Sequence, residues 1–251
     1  MDMKKLKKND YGSLCTEMYE ILHQKAPQDE LAFYLSYAEK GLSILEPLCG
    51  SGRFLISFLE RGFSIQGMDN SKDMVNKLLE KAPNAKVVLS DIENFQTKER
   101  FDYIFICSGS VSLFTDMQVC KMILSKMKSL LKENGKFVFA VDTIAARQPA
   151  SAEYRTEIAV RTKENYQLLL RSKSSYDEAT HTQFSPSLYE LYDDDRLLQR
   201  EEMNFQTHLY ALGEMDAILK EIGFSHIAVY ASFNKDKTDN ESEMLLYECS
   251  L

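Results

Sequence analysis

The chain is poor in the features that would assign it to several classes at once. No apolar run reaches the length of a membrane span. There is no HExxH and no CxxC, and only four histidines, so no metal site is written in the sequence. The five cysteines, at 15, 49, 107, 120 and 249, are odd in number and scattered. That pattern reads as reduced, mostly buried thiols in the cytosol rather than a disulfide framework. Basic charge is also lacking: the formal net charge is -8 and the pI about 5.2. A duplex-binding protein needs a basic stripe to displace counterions from phosphates. The one basic cluster, Lys4, Lys5, Lys7 and Lys8, reads as a solvated chain end. Nucleic acid and anionic membrane are therefore disfavoured as partners. No apolar stretch follows these lysines, so they do not open a secretory signal, and the expected location is cytoplasmic. Internal repeats, low-complexity tracts and any linker long enough to separate independent domains are absent too.

What remains is an ordinary packed composition. The 251 residues are 44% hydrophobic and 27% charged, enough for one large domain or a core with an inserted subdomain. Residues 14–40 read as helices, with Leu14, Met18, Ile21 and Leu22 and then Leu31, Tyr34, Leu35 and Ala38 at helical spacing. Gly41 is expected to stop the second helix. Short apolar runs then alternate with amphipathic stretches. Strands are expected at 43–46, 64–68, 86–89, 101–107 and 136–141, and helices at 53–61, 71–81 and 117–131. This alternation predicts a Rossmann-like open α/β sheet of mostly parallel strands, with helices on both faces. From 156 to 207 the pattern becomes strand-like, with turns expected at Ser185-Pro186 and Asp193-Asp194-Asp195. A helix at 212–222 and two strands at 226–232 and 244–249 finish the chain as an antiparallel hairpin.

Three acids stand at the ends of successive strands. In Glu46-Pro47-Leu48-Cys49-Gly50-Ser51-Gly52-Arg53 a strand ends in an acid, turns through two glycines and enters a helix. Glycines let the backbone approach a ligand, and a helix N-terminus offers free N–H groups to an anion. Asp69 follows 23 residues after Glu46, at the tip of the second strand, where a carboxylate accepts both hydroxyls of a ribose. Helix capping is the competing role for Asp69, with Ser71 as the alternative cap. Asp91 follows Asp69 by 22 residues, at the end of the third strand, where it can accept an adenine amine while Ile92 covers the ring. All three acids face the crevice where open α/β sheets bind ligands. A dinucleotide fingerprint would need a third glycine after Gly52, and Arg53-Phe54-Leu55 supplies none.

Residues 40–142, and 210–251 in outline, resemble a class I S-adenosylmethionine-dependent methyltransferase of the small-molecule type. The family pattern is acid-x-Gly-x-Gly-x-Gly, and here Leu48 stands in place of the first glycine, where leucine adopts the same angles only at a cost. The resemblance implies that Glu46, Leu48, Gly50, Gly52 and Arg53 hold the methionine part of S-adenosylmethionine. It places Asp69 on the ribose, Asp91 and Ile92 on the adenine, and Asn70 and Met74 beside them. Cys107 would end the fourth strand beside the reactive methyl. The stretch Ile106–Phe114 lacks the Asn/Asp-Pro-Pro-aromatic signature of amino-methylating enzymes that act on nucleic acids and proteins. With the acidic pI, that absence points to a small-molecule acceptor.

Methyl transfer asks the protein for position and desolvation, and for some acceptors a base. Candidates for acceptor chemistry are His208 and Tyr11, with Tyr19 over the cofactor, Arg53 and Arg147 for a carboxylate, and Asp142 at the end of the fifth strand. Bland alternatives stand beside each: a structural histidine, core tyrosines, solvated arginines, a turn cap. The expected organisation is a methyltransferase core at 1–150 and 208–251 with an N-terminal helical cap, and an antiparallel β lid at 151–207. The chain is expected as a monomer or homodimer. The rival functions are a cofactor-binding protein without catalysis and a methyltransferase acting on a macromolecule.

Overall fold

The structure is a computed structural model, and it describes residues 9–251. The basic cluster Lys4–Lys8 falls outside the described residues. Two compact units emerge from the contacts, one of residues 25–146 with 209–251, the other of 147–208 with the segment ending at Gln24.

The larger unit is a seven-stranded sheet. Its strands are β1 (Ser43–Pro47), β2 (Ser64–Asp69), β3 (Lys86–Leu89), β4 (Phe101–Ile106), β5 (Leu131–Asp142), β10 (His226–Tyr230) and β11 (Met244–Ser250). The order is β10-β11-β5-β4-β1-β2-β3. The β3-β2-β1-β4-β5 portion is parallel, and β11 runs antiparallel between β5 and β10. The reversal at β1 between β2 and β4 is the switch point that opens a crevice at the carboxyl ends.

Alternation along the strands explains why both faces are covered. Leu45, Ile104, Phe137 and Phe139 bury on one face, with Ile123 and Leu124 of α5 (Met117–Leu130) and Leu219 of α6 (Glu214–Ile222). Ile44, Tyr103, Phe105 and Val138 bury on the other, with Phe33 and Tyr34 of α2 (Gln28–Leu35), Phe54 and Phe58 of α3 (Arg53–Glu60) and Leu78 of α4 (Lys72–Lys81). All five cysteines are free and buried. No helix among the described residues is long and apolar enough to cross a membrane.

The smaller unit is a four-stranded antiparallel sheet, β6 (Ser151–Arg161), β7 (Gln167–Asp177), β8 (Thr182–Asp193) and β9 (Arg196–His208), in chain order. Helix α1 (Ser13–Leu22) packs on it, burying Leu14, Cys15 and Met18 against Leu168, Tyr189 and Met203. The N-terminus of α1 is held by Glu201, which accepts from Leu14 N at 2.9 Å and from Ser13 Oγ at 2.6 Å.

Two local expectations are corrected. Helix α2 ends at Leu35, and Gly41 (φ 91) lies beyond a short turn, so it does not stop the helix. Ser185-Pro186 is no turn but lies inside β8, with Pro186 opposite Asn204 of β9. On the other side the β7 ladder steps from Ser172↔Ser187 to Ser175↔Phe184, so the missing proline N–H falls where that ladder is interrupted. The triple-aspartate tip does form, with Asp194 at φ 50 between β8 and β9.

Candidate functional site

The site is built at the carboxyl ends of β1, β2, β3 and β4, all within the larger unit. Leu48 takes φ 56, Gly50 φ 53 and Gly52 φ 84, so the chain makes three left-handed steps between β1 and α3. Leucine thus occupies the first of them, at a steric cost of about 1–2 kcal/mol that surrounding contacts offset. Gly52 has no alternative: a Cβ there would lie 2.7 Å from Leu78 Cγ. Gly50 N donates to Asp69 Oδ2 at 2.8 Å, and Ser71 N to Asp69 Oδ1 at 2.8 Å. Asp69 therefore ties two turns together. Helix α4 is capped instead by Ser71, whose Oγ accepts from Met74 N at 3.2 Å.

Glu46 is 1% exposed, and its Oε2 has no hydrogen-bond partner among the described residues. Its Oε1 accepts from Cys107 Sγ at 3.7 Å. Burial pushes the Glu46 carboxyl well up from its ordinary value, and does the same to the Cys107 thiol. Ser51 Oγ, 1% exposed at the middle of the turn, is also unpartnered. Buried polar atoms left unpaired are costly, and in a turn this close they mark a place where a polar ligand completes the bonding.

Next to the turn lies a cavity of about 120 Å³, whose lining includes Leu48, Met68, Asn70, Asp91, Ile92 and Phe114. Its lining is mixed: Leu48, Met68, Ile92, Phe114 and Ile123 are apolar, and Asn70, Ser90, Asp91 and Glu93 add a polar side where Asn70 Nδ2 donates to Asp91 Oδ1 at 2.9 Å. That is the composition of a slot for a flat heteroaromatic ring with an exocyclic amine. Met74 does not line this cavity: it is buried, its sulfur 4.0 Å from where a Gly50 Cβ would stand.

At the end of β4 the backbone turns left-handed twice, at Ser108 (φ 55) and Gly109 (φ 66). Glu30, 5% exposed on α2, accepts from Ser108 N at 2.7 Å and Ser108 Oγ at 3.1 Å. Arg53 Nη2 donates to the same Ser108 Oγ at 2.6 Å. Sequence reasoning does not pick out Glu30 as a site residue. The one trace is its spacing of four from Tyr34, which puts both on the helix face turned to the sheet.

The structure gathers Glu46, Leu48, Gly50, Gly52, Arg53, Asp69, Asn70, Asp91, Ile92 and Cys107 within one unit, around one edge of its sheet. Tyr11, Tyr19, Arg147 and His208 belong to the other. There Tyr11 packs into the apolar cluster under α1, and Tyr19 lies against His23 with ring centres 4.7 Å apart. His208 is 4% exposed, with Nδ1 3.1 Å from Thr180 O. Arg147 pairs with Glu178 and lies over the Tyr176 ring at 4.2 Å, so the carboxylate it meets is the chain's own.

Residues 44–135 match the family described as a methyltransferase domain. Malonyl-[acyl-carrier protein] O-methyltransferase 2 of Ilyobacter polytropus is 28% identical over 146 residues, covering 56% of this chain and 54% of that protein. The chain thus spans about half the length of this curated relative. Among solved structures, an S-adenosylmethionine-dependent methyltransferase from Clostridium acetobutylicum superposes with TM-score 0.77 at 16% identity, over 93% of this chain and 96% of that one. The sugar N-methyltransferase KedS8 from Streptoalloteichus gives TM-score 0.74 at 16% identity, over 100% of both chains. Residues 44–135 therefore carry a methyltransferase domain, and the chain has the fold of the S-adenosylmethionine-dependent methyltransferase from Clostridium acetobutylicum.

Proposed function

We propose that the protein transfers a methyl group from S-adenosylmethionine to a small-molecule acceptor in the cytoplasm. The observation that carries the reading is the buried, half-unpartnered Glu46 carboxylate beside the Gly50-Ser51-Gly52 turn. An α-ammonium supplies the donor that Glu46 Oε2 lacks, so the residues present fit the cofactor. Asp69 keeps lone pairs for two ribose hydroxyls beyond the amides it already holds. The cavity takes the adenine, with Leu48, Ile92 and Phe114 against the ring and Asp91 and Asn70 on its polar side.

When bound, the cofactor supplies an electrophilic methyl on a sulfonium. The chain's contribution is orientation and exclusion of water. Left-handed steps after β1 and β4 bring backbone, rather than side chains, against the ligand. Cys107 and Glu46 are both buried behind the turn. The names of two similar enzymes, one methylating a malonyl group on an acyl-carrier protein and one a sugar, support an acceptor group of metabolite size. The acidic net charge agrees with it. We further propose that the four-stranded unit takes part in selecting the acceptor, and its half-buried Tyr166 and Tyr192 are the first residues to vary.

Calorimetry with S-adenosylmethionine and S-adenosylhomocysteine tests the reading. Micromolar binding, weakened by Asp69→Ala, is the expected result. No binding of either ligand by the wild type overturns it. With binding established, a panel of hydroxyl, amine and carboxylate acceptors scored by S-adenosylhomocysteine release identifies the substrate.

A further inference from the structure

Helix α2 brings to the site an acid that the glycine turn does not explain. Its place is fixed by two aromatic contacts to β4: Tyr34 Oη donates to Ile106 O at 3.2 Å, and Tyr103 Oη donates to Tyr34 O at 3.0 Å. The Tyr34 and Phe105 rings stack with centres 5.1 Å apart. One turn before Tyr34, this anchored helix holds Glu30 against Ser108.

A carboxylate is an expensive way to hold one serine. Glu30 is 5% exposed, and burial raises its pKa. A position needed only for packing would take an apolar side chain at lower cost. What the acid achieves here is orientation. Ser108 Oγ donates to Glu30 and accepts from Arg53 Nη2, so a single hydroxyl links the acid to the guanidinium. The same acid accepts the Ser108 amide and so pins a residue in the left-handed region, where serine does not rest unaided. The Arg53 charge acts on both Glu30 and Glu46, so two buried acids share one cation. That arrangement has one positive and two negative groups. It matches a zwitterionic amino acid: a carboxylate for the guanidinium, an ammonium for Glu46, whose Oε2 is unpartnered.

We propose that Glu30 is a positioning residue for the amino-acid end of the cofactor, acting through Ser108 to set both the Arg53 guanidinium and the turn that ends β4. Arg53 then meets the α-carboxylate, while Glu46 takes the α-ammonium. The adenine and ribose contacts lie elsewhere, at Asp69, Asn70 and Asp91, and do not depend on Glu30. This inference rests on the S-adenosylmethionine reading.

The two ends of the ligand can be probed separately. S-adenosylhomocysteine carries the amino acid; 5′-methylthioadenosine has the adenine, ribose and thioether without it. Calorimetry with both, on the full chain, compares the wild type with Glu30→Ala and Glu30→Gln. Expected is a loss of about tenfold or more in S-adenosylhomocysteine affinity for Glu30→Ala, with 5′-methylthioadenosine affinity held within about twofold. Glu30→Gln keeps an oxygen for the Ser108 amide and recovers most of the loss. If both ligands weaken together in Glu30→Ala, Glu30 merely supports the fold and the inference is overturned. Unchanged S-adenosylhomocysteine binding in both variants overturns it equally. Should Glu30→Ala fail to fold, Glu30→Asp carries the test, since its shorter side chain draws the carboxylate back from Ser108: a selective loss of S-adenosylhomocysteine affinity supports the inference, and an equal loss of both ligands, or no loss, sinks it. Wild-type protein that binds neither ligand is a different failure, seen before any variant is made, and it removes the cofactor reading itself.

Discussion

The Gly50 amide donates to Asp69 Oδ2 at 2.8 Å, so the tip of β2 holds the turn that follows β1. Asp69 is thereby part of the frame as well as of the proposed ribose contact. Asp69→Ala leaves the Gly50 and Ser71 amides without their acceptor, a cost of about 1–3 kcal/mol each if water does not reach them. The expected variant melts earlier and binds S-adenosylhomocysteine at least tenfold more weakly. Asp69→Asn retains one acceptor oxygen and should recover part of the stability but little of the affinity. An alanine variant that binds as tightly as wild type would confine Asp69 to the frame.

Gly52 is the most constrained of the glycines in the turn. It combines φ 84 with a blocked Cβ position, 2.7 Å from Leu78 Cγ and 2.9 Å from Leu78 Cδ1. Gly52→Ala should therefore destabilise by about 2 kcal/mol or more, some of it from the left-handed backbone and the rest from the clash. A double-mutant cycle with Leu78→Ala separates these contributions. A favourable coupling of about 1 kcal/mol in urea unfolding assigns the clash to Leu78. Strict additivity would leave backbone strain as the whole effect.

Those residues illustrate what is readable in the sequence. The parallel core follows from the alternation of apolar runs and amphipathic stretches, and the strands form within a residue or two of their expected limits, β5 excepted. The glycine turn and the three acids are legible because each falls at a strand end, where the chain has little other use for those residue types. Glu30 is not legible, because its role depends on α2 meeting the end of β4 across 78 residues of sequence. Leu48 shows the opposite limit: a non-glycine residue takes φ 56 because its neighbours over-determine the turn, which local propensity alone does not report. Pro186 reads as a turn for the same reason, since the interruption in the β7–β8 ladder that accommodates it is a tertiary fact.

In the four-stranded unit, Glu190 is fully buried and accepts from Arg200 Nε at 2.8 Å and Nη2 at 2.5 Å, with Arg171 Nη1 at 3.7 Å. A carboxylate taken wholly out of water depends on these partners. Glu190→Gln should lower the urea midpoint of unfolding, and Glu190→Ala should lower it further by adding a cavity. Removing Arg171 alone should matter less than removing Arg200, because Arg171 is the more distant partner. Equal losses from the two arginine variants would show that Glu190 is held by charge rather than by the directed bonds of Arg200.

Asp142 gives the fold a pH dependence whose sign can be worked out. It ends β5 on the same edge as Glu46, beside Gly109, where a Cβ would stand 2.8 Å from Asp142 Oδ1. Burial raises its carboxyl from 3.8 to about 6. The native state therefore holds the proton more tightly than the unfolded chain does. The corresponding stabilisation is complete below about pH 4 and is lost as the pH rises through about 6. Asp142→Asn cannot ionise, so it should match wild type near pH 4 and exceed it at pH 7.5 by about 1–3 kcal/mol. Urea unfolding at the two pH values measures the difference. A variant less stable than wild type at pH 7.5 would mean that the charged carboxylate has a partner that outweighs its burial.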